Sequence, residues 1–285
     1  MNQKNYILSI ALLAALSAAS CKSKIKIKED ELYSRHLQRH VKLGIVSTPM
    51  PGEKEKMNLL ILNDGQEMGA FRVKDILDSL YKKGAIQPLL IVGIQAGDRV
   101  REFGVEGRPD FQKRGDKAGN YAAFIDNELY PFIKKKAGLR KFNSIAIAGC
   151  SLGGLSAFDI AWNHAAKIDK VGVFSGSFWW RDKDISDLGY SDSLNRVMIS
   201  EIRSSRKRPK TDFWFYAGGN EETSDRDKDG ITDVVDDTKD LITAIKKKNI
   251  PGATSLVYVE DATGKHDYTA WSKQLPAFLI WAFGK

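Results

Sequence analysis

The chain has 285 residues, 42% hydrophobic and 10% aromatic, enough to bury one sizeable core, and it is read as a single globular domain. Its net charge of +8 comes without aromatic-interleaved basic stripes or a nucleic-acid module, which argues against nucleic acid as a partner. Two cysteines cannot build a disulfide framework, so the hydrophobic core has to hold the fold.

The elements follow in chain order. Residues 1–20 carry Lys4, an apolar run over 6–16 and the small residues SAAS before Cys21. That is the pattern of a secretory signal, too short to span a bilayer. Small residues leading into a cysteine resemble a bacterial lipobox, with Ala18 where such boxes usually carry Leu. The resemblance implies lipidation of Cys21 and attachment to the cell envelope, on its periplasmic or cell-surface face. Ordinary secretion with cleavage near Ala19 is the alternative. The basic KSKIKIK that follows is read as part of a flexible tether over 21–40, near a membrane surface, ahead of a globular domain over 41–285. A second basic run, RSSRKRPK at 203–210, is expected to be a solvated helix end and loop.

Short apolar runs then recur: NLLILND at 58–64, PLLIVGI at 88–94, SIAIAG at 144–149, KVGVFSG at 170–176, DFWFYAG at 212–218 and SLVYVE at 255–260. Near-continuous apolar runs mark strands covered on both faces. Helical spacing separates them, in Val73, Ile76, Leu77 and Leu80, in Tyr121, Phe124, Ile125, Leu129, Phe132 and Ile133, in Leu241, Ile242 and Ile245, and in Trp271, Leu275, Phe278 and Leu279. This alternation predicts an α/β fold, a mostly parallel central sheet with helices on both faces. Residues 44–46 are expected to form an antiparallel edge strand.

In such a sheet chemistry gathers at the carboxyl ends of the strands. Gly149-Cys150-Ser151-Leu152-Gly153 lies at one of them and matches G-x-S-x-G. A serine there occupies a strained strand-to-helix turn, and the flanking glycines let strand and helix approach closely. The following helix aims its N-terminus at the site, where negative charge develops. A serine needs a base, and there are four histidines. His36 and His40 lie in the polar N-terminal segment, and His164 is expected to face solvent from the helix after Ser151. His266, in DATGKHDYTAW, follows the last strand and precedes the last helix, where a base reaches a strand-end serine. The orienting acid should precede the histidine in the chain. Glu221, in GNEETSD, is preferred because it leaves the strand end after a two-residue turn; Glu222 and Asp261 remain open.

On these residues the chain resembles the esterase D and enterochelin esterase group of α/β-hydrolases, which includes feruloyl esterase domains. The resemblance rests on LLILNDGQEM, LLIVGIQAGDRVREFG, AGCSLGGLSAF, VGVFSGSFWW and GKHDYTAW, in that order, spanning most of the chain after the signal. It implies Ser151 as nucleophile, His266 as base, and an oxyanion hole from the backbone N–H of Leu152 and one from the turn at Gly65 and Gln66. It implies no cofactor for catalysis and a small-molecule or polysaccharide-linked ester as substrate: siderophore-type, hydroxycinnamoyl or acetyl. Residues 96–119 and 179–210 are expected to rim the pocket, with Phe178, Trp179 and Trp180 as candidate lining.

One motif stands outside that pattern. DRDKDGITDVVD at 225–236 places carboxylates at alternating positions with glycine sixth, and resembles the calcium loops of EF-hands and thrombospondin type 3 repeats. Asp225, Asp227, Asp229, Ile231 through its carbonyl, Asp233 and Asp236 are the expected ligands of a structural Ca2+, and Gly230 permits the sharp turn. The competing readings are an acyltransferase, or a noncatalytic lipoprotein that binds a ligand on a hydrolase scaffold.

Overall fold

The computed structural model describes residues 25–50, 56–248, 250 and 255–285; the expected signal over 1–20 and Cys21 lie outside them. Among the described residues eight strands form one sheet: β1 (Lys26–Ser34), β2 (Arg39–Ser47), β3 (Asn58–Asn63), β4 (Leu89–Ile94), β5 (Ile145–Cys150), β6 (Lys170–Phe174), β7 (Asp212–Gly218) and β8 (Leu256–Asp261), in the order β1-β2-β4-β3-β5-β6-β7-β8. The pairs β1/β2 and β2/β4 are antiparallel, and all others are parallel. The six apolar runs are the six parallel strands, as the α/β reading requires. The helices are α1 (Val73–Lys82), α2 (Arg99–Glu102), α3 (Ala118–Phe124), α4 (Tyr130–Lys136), α5 (Leu152–Asn163), α6 (Asp192–Asn195), α7 (Val197–Ser204), α8 (Asp233–Lys247) and α9 (Tyr268–Phe283), with a π-helical stretch, Ile125–Leu129, between α3 and α4.

Among the described residues two large cores result from the pleat, because successive side chains of a strand point to opposite faces. In β3, Leu59 and Ile61 enter one core with Leu155, Phe158 and Trp162 of α5 and Leu241 and Ile245 of α8. Leu60 and Leu62 enter the other, with Leu77 of α1 and Leu275, Phe278 and Leu279 of α9. Helices α1 and α9 therefore cover one face and α5 and α8 the other, and the strand ends between them stay open to loops.

The N-terminal segment differs from expectation. The tether read over 21–40 is instead strand β1 from Lys26 on, paired with β2 over nine residues, Lys26 with Ser47 through Ser34 with Arg39. Ser34 is buried; its hydroxyl donates to Glu128, and Glu128 also accepts from the Arg35 N–H at 2.9 Å. The domain thus begins before residue 41. Charged residues along a strand read as solvated tether, yet an edge strand carries charge for a reason: it discourages pairing with another chain. The strand expected at 44–46 is antiparallel as predicted but is the inner strand β2.

Candidate active site

Three parallel strands, β5, β7 and β8, deliver the central residues at their carboxyl ends, with β6 between the first two. Ser151 follows β5 directly, with φ 54° and ψ −124°, a conformation that costs a non-glycine residue about 1–3 kcal/mol. Its N–H donates to the Phe174 carbonyl at 2.8 Å, extending the β5/β6 ladder by one residue, and α5 starts at the next position. The flanking glycines are required by space: a Cβ on Gly149 would lie 2.3 Å from the Gly153 carbonyl oxygen. Packing of strand against helix thus holds the strained turn and turns the Ser151 hydroxyl outward.

His266 is set by the start of α9. Asp267 caps that helix by accepting the Ala270 N–H at 2.8 Å, and the imidazole packs edge-to-face on Trp271 with centroids 4.9 Å apart. The acid segment after β7 and the histidine segment after β8 are stitched together by backbone bonds, Gly219 N–H to the Asp261 carbonyl at 2.8 Å and Asn220 N–H to the Gly264 carbonyl at 3.0 Å. The result is a continuous chain. The Ser151 hydroxyl donates to His266 Nε2 at 2.9 Å, and His266 Nδ1–H donates to Glu221 Oε2 at 2.7 Å. A carboxylate only accepts, so Nδ1 carries the proton and Nε2 is free to take one.

The acid left open in the sequence finds one partner in the structure. Glu221, its side chain 1% exposed, is the carboxylate brought to the imidazole. Glu222 accepts the Val234 N–H at 2.8 Å in the first turn of α8, and Asp261 accepts both the N–H and the hydroxyl of Thr263 at 3.0 and 2.9 Å. His164, expected to face solvent, is a correction. It lies at the end of α5, half-buried, with Nδ1 2.8 Å from Asp126 and Nε2 2.9 Å from Glu106, far in function from the Ser151 chain.

A cleft of about 290 Å³ opens over the serine, lined by Ser151, His266, Gln66, Glu67, Arg99 and Tyr268 among others. Leu152 opens α5, so its N–H has no carbonyl one turn earlier in the helix to bond, and the positive end of the helix dipole faces the cleft. Gln66 belongs to the turn that follows β3, where Asp64 takes φ 57°. Its side chain is tied down at both ends, donating to Asp64 at 3.1 Å and accepting the Ala96 N–H at 3.2 Å. Gly65 packs on the Gly93 backbone and seats that turn against β4.

Arg99 is a residue that sequence reading passed over, although it sits in the segment expected to rim the pocket. Its guanidinium donates to buried Asp64 at 2.8 and 3.0 Å. Burial works against its charge, but the bonds to Asp64 and its negative charge prevail and hold the guanidinium more firmly protonated than usual. Next to Ser151, burial pushes the Cys150 thiol well above its ordinary pKa, so it stays neutral and inert. Phe178 and Trp180 are fully buried in the core and do not line a cleft; Trp179 is half-buried beneath the Arg114 guanidinium, 5.1 Å from the ring centroid.

The acidic loop is partly as expected. Asp225, Asp227 and Asp229 each offer a carboxylate oxygen within 4.8 Å of the others, and Gly230 takes φ 91° at the turn. Ile231 lies beside them, its N–H donating to Asp229 at 2.8 Å. Asp233 does not join them. At the start of α8 its carboxylate is taken by Arg226, through the backbone N–H and the guanidinium, both at 2.9 Å. Asp236 lies a turn into α8 outside the group, its pKa pushed up to about 6 by burial and by Asp240, Asp227 and Asp237.

Comparison with known proteins decides the family. The family model described as "Putative esterase" matches residues 34–282. The chain belongs to this esterase family. By sequence it is 24% identical over 217 residues, 74% of this chain and 80% of the other, to a Bacillus subtilis (strain 168) protein described as "Uncharacterized protein YbbA". By structure this esterase resembles the enterobactin esterase FES from Shigella flexneri solved in the presence of enterobactin, with TM-score 0.70 and 21% identity over 90% of this chain and 58% of that one. It also resembles a ferulic acid esterase, with TM-score 0.65 and 18% identity over 91% and 98% of the two chains, and the siderophore hydrolase EstB from Aspergillus nidulans, with TM-score 0.66 and 14% identity over 97% of each. The chain spans little more than half the length of the Shigella enzyme. The family suspected from the sequence and the α/β-hydrolase fold both hold, and the family is one of esterases.

Proposed function

We propose that this esterase is an extracytoplasmic serine hydrolase that cleaves carboxylic esters through an acyl-enzyme. The observation that carries the reading is the unbroken chain from the Glu221 carboxylate through His266 to the Ser151 hydroxyl at a strained strand end. As Ser151 Oγ attacks the ester carbonyl carbon, His266 Nε2 takes the hydroxyl proton and Glu221 stabilises the imidazolium that forms. The carbonyl oxygen becomes an anion held by the Leu152 N–H and by the Gly65–Gln66 turn, preorganised donors at the positive end of α5. The tetrahedral species collapses, His266 returns the proton to the departing alcohol, and the acyl group stays on Ser151. Water then attacks the acyl carbonyl, gives its proton to His266, and frees the acid and the Ser151 hydroxyl.

The proteins this chain resembles, enterobactin and ferulic acid esterases and a siderophore hydrolase, support siderophore-type or hydroxycinnamoyl esters as the substrate class, beside the acetyl esters considered from the sequence. The signal-like residues 1–20 and the small residues before Cys21 support a lipid anchor in the cell envelope, and loss of metabolic palmitate labelling in Cys21→Ala tests it. The donor set of Asp225, Asp227 and Asp229, all hard oxygen, fits a structural Ca2+. Hydrolysis of acetyl, butyryl and feruloyl aryl esters and of a catecholate lactone, by protein lacking residues 1–21, tests the enzyme reading and ranks the substrates. Turnover that vanishes in Ser151→Ala supports it; undiminished turnover in that variant defeats it, and products carried to an added alcohol in place of water mark an acyltransferase.

A further inference from the structure

The carboxylate of Glu221 has two oxygens, and only one faces the histidine. Oε1 accepts the Gly218 N–H at 2.7 Å and the hydroxyl of Ser175. Ser175 in turn accepts the indole Nε1–H of Trp271 at 2.8 Å, in a buried bond. The indole ring is the same one that packs edge-to-face on His266. One side chain, Trp271, therefore touches the imidazole with its ring and reaches the carboxylate through a single hydroxyl.

The backbone at Ser175 takes a conformation that disfavours any side chain. Cys150 pairs with Phe174 in register, so Ser151 and Ser175 are the next residues off two neighbouring parallel strands. Both take left-handed φ, 54° and 51°. Glycine enters that region without strain, whereas a side chain does not. Ser175 is buried to 1% exposure, and both capacities of its hydroxyl are used, one as acceptor and one as donor. Its N–H donates to the Tyr216 carbonyl at 2.8 Å, which carries the β6/β7 ladder to the end of the strand that bears the acid.

Resting on the reading of Ser151 as nucleophile, we infer that Ser175 and Trp271 are positioning residues: the chain from Trp271 Nε1–H to Ser175 and from the Ser175 hydroxyl to Glu221 Oε1 fixes the carboxylate so that Oε2 meets His266. Without it, Oε1 keeps one donor from the backbone and the carboxylate plane can rotate away from Nδ1–H. The hydroxyl acts on the acid alone, so its loss should slow acylation without weakening ester binding.

Ser175→Gly tests this, because it removes the hydroxyl and relieves the backbone. The variant should stay folded, since the relieved backbone offsets part of the two lost hydrogen bonds, and its kcat on p-nitrophenyl butyrate should fall about tenfold or more, the effect of losing one hydrogen bond to a charged group, with KM within twofold. The rate of fluorophosphonate labelling at Ser151 should fall by the same factor. Trp271→Phe keeps the ring and removes the donor; it should lower kcat severalfold in the parent and add little in the Ser175→Gly background, since both act through one hydroxyl. A Ser175→Gly variant with the parent's kcat and labelling rate overturns the inference while leaving Ser151 as nucleophile intact. A parent protein that takes no label at Ser151 overturns the nucleophile reading, and the inference with it.

Discussion

At the scale of the residue, the paired glutamates of the NEE stretch separate into two jobs. Glu221 holds the imidazole, and Glu222 caps α8. Glu221→Gln should lower kcat about a hundredfold or more, since an amide in place of the carboxylate favours the wrong imidazole tautomer. Glu222→Gln should leave kcat within twofold and instead lower Tm by about 2–4 °C, through the weakened helix start. The reverse order in a side-by-side kinetic and melting comparison would contradict the assignment. Ser151 and His266 were legible because their local sequences carry their geometry: a serine between glycines at a strand end, and a histidine between the last strand and last helix. Choosing between neighbouring glutamates was not legible with certainty of register, because it depends on where β7 ends and on which carboxylate the N-terminus of α8 claims. Arg99, Ser175 and Trp271 were missed for a related reason: each acts on a residue distant in the chain, and nothing in its own neighbourhood marks it.

At the scale of the element, charge does more than solubilise. His164 ties the end of α5 to the π-helical stretch through Asp126 and to the cleft-rim segment through Glu106, with Lys167 also 3.7 Å from Asp126. The hydrogen bond to Asp126 leads in raising its pKa from 6.5 to about 9, over the opposing effect of burial and with help from Glu106. A raised folded-state pKa contributes stability that is fully present below 6.5 and fades as the pH climbs through about 9. The Tm deficit of His164→Asn should therefore be largest near pH 6 and shrink toward pH 10, and melting curves that stay parallel over that range would refute the clamp. The Asp225 loop makes an independent prediction. Calcium at a hundred times its Kd should stabilise the fold by about 2.7 kcal/mol, more than magnesium at equal concentration, and Asp227→Ala with Asp229→Ala should remove the response. Because Glu221 lies four residues before Asp225, a chelator should lower esterase activity together with Tm. Calorimetry without calcium binding at millimolar concentration, with chelator-insensitive turnover, would reduce the loop to a solvated acidic turn.

At the scale of the whole molecule, the fold was the most legible part, because six apolar strands alternating with amphipathic helices leave few topologies other than a covered parallel sheet. The antiparallel margin was not, since β1 shows its charges and hides its pairing. That margin is testable by truncation. Compared with protein lacking residues 1–21, removal of 1–37 deletes β1 and the Ser34 and Arg35 bonds to Glu128 and should lower Tm or prevent folding. The central claim, that the sheet exists to present one activated hydroxyl, is tested most directly by peptide mapping after reaction with a fluorophosphonate. One adduct per chain is expected, on Ser151, lost in Ser151→Ala and strongly slowed in His266→Ala. An adduct on another residue, or unchanged labelling in Ser151→Ala, would contradict it.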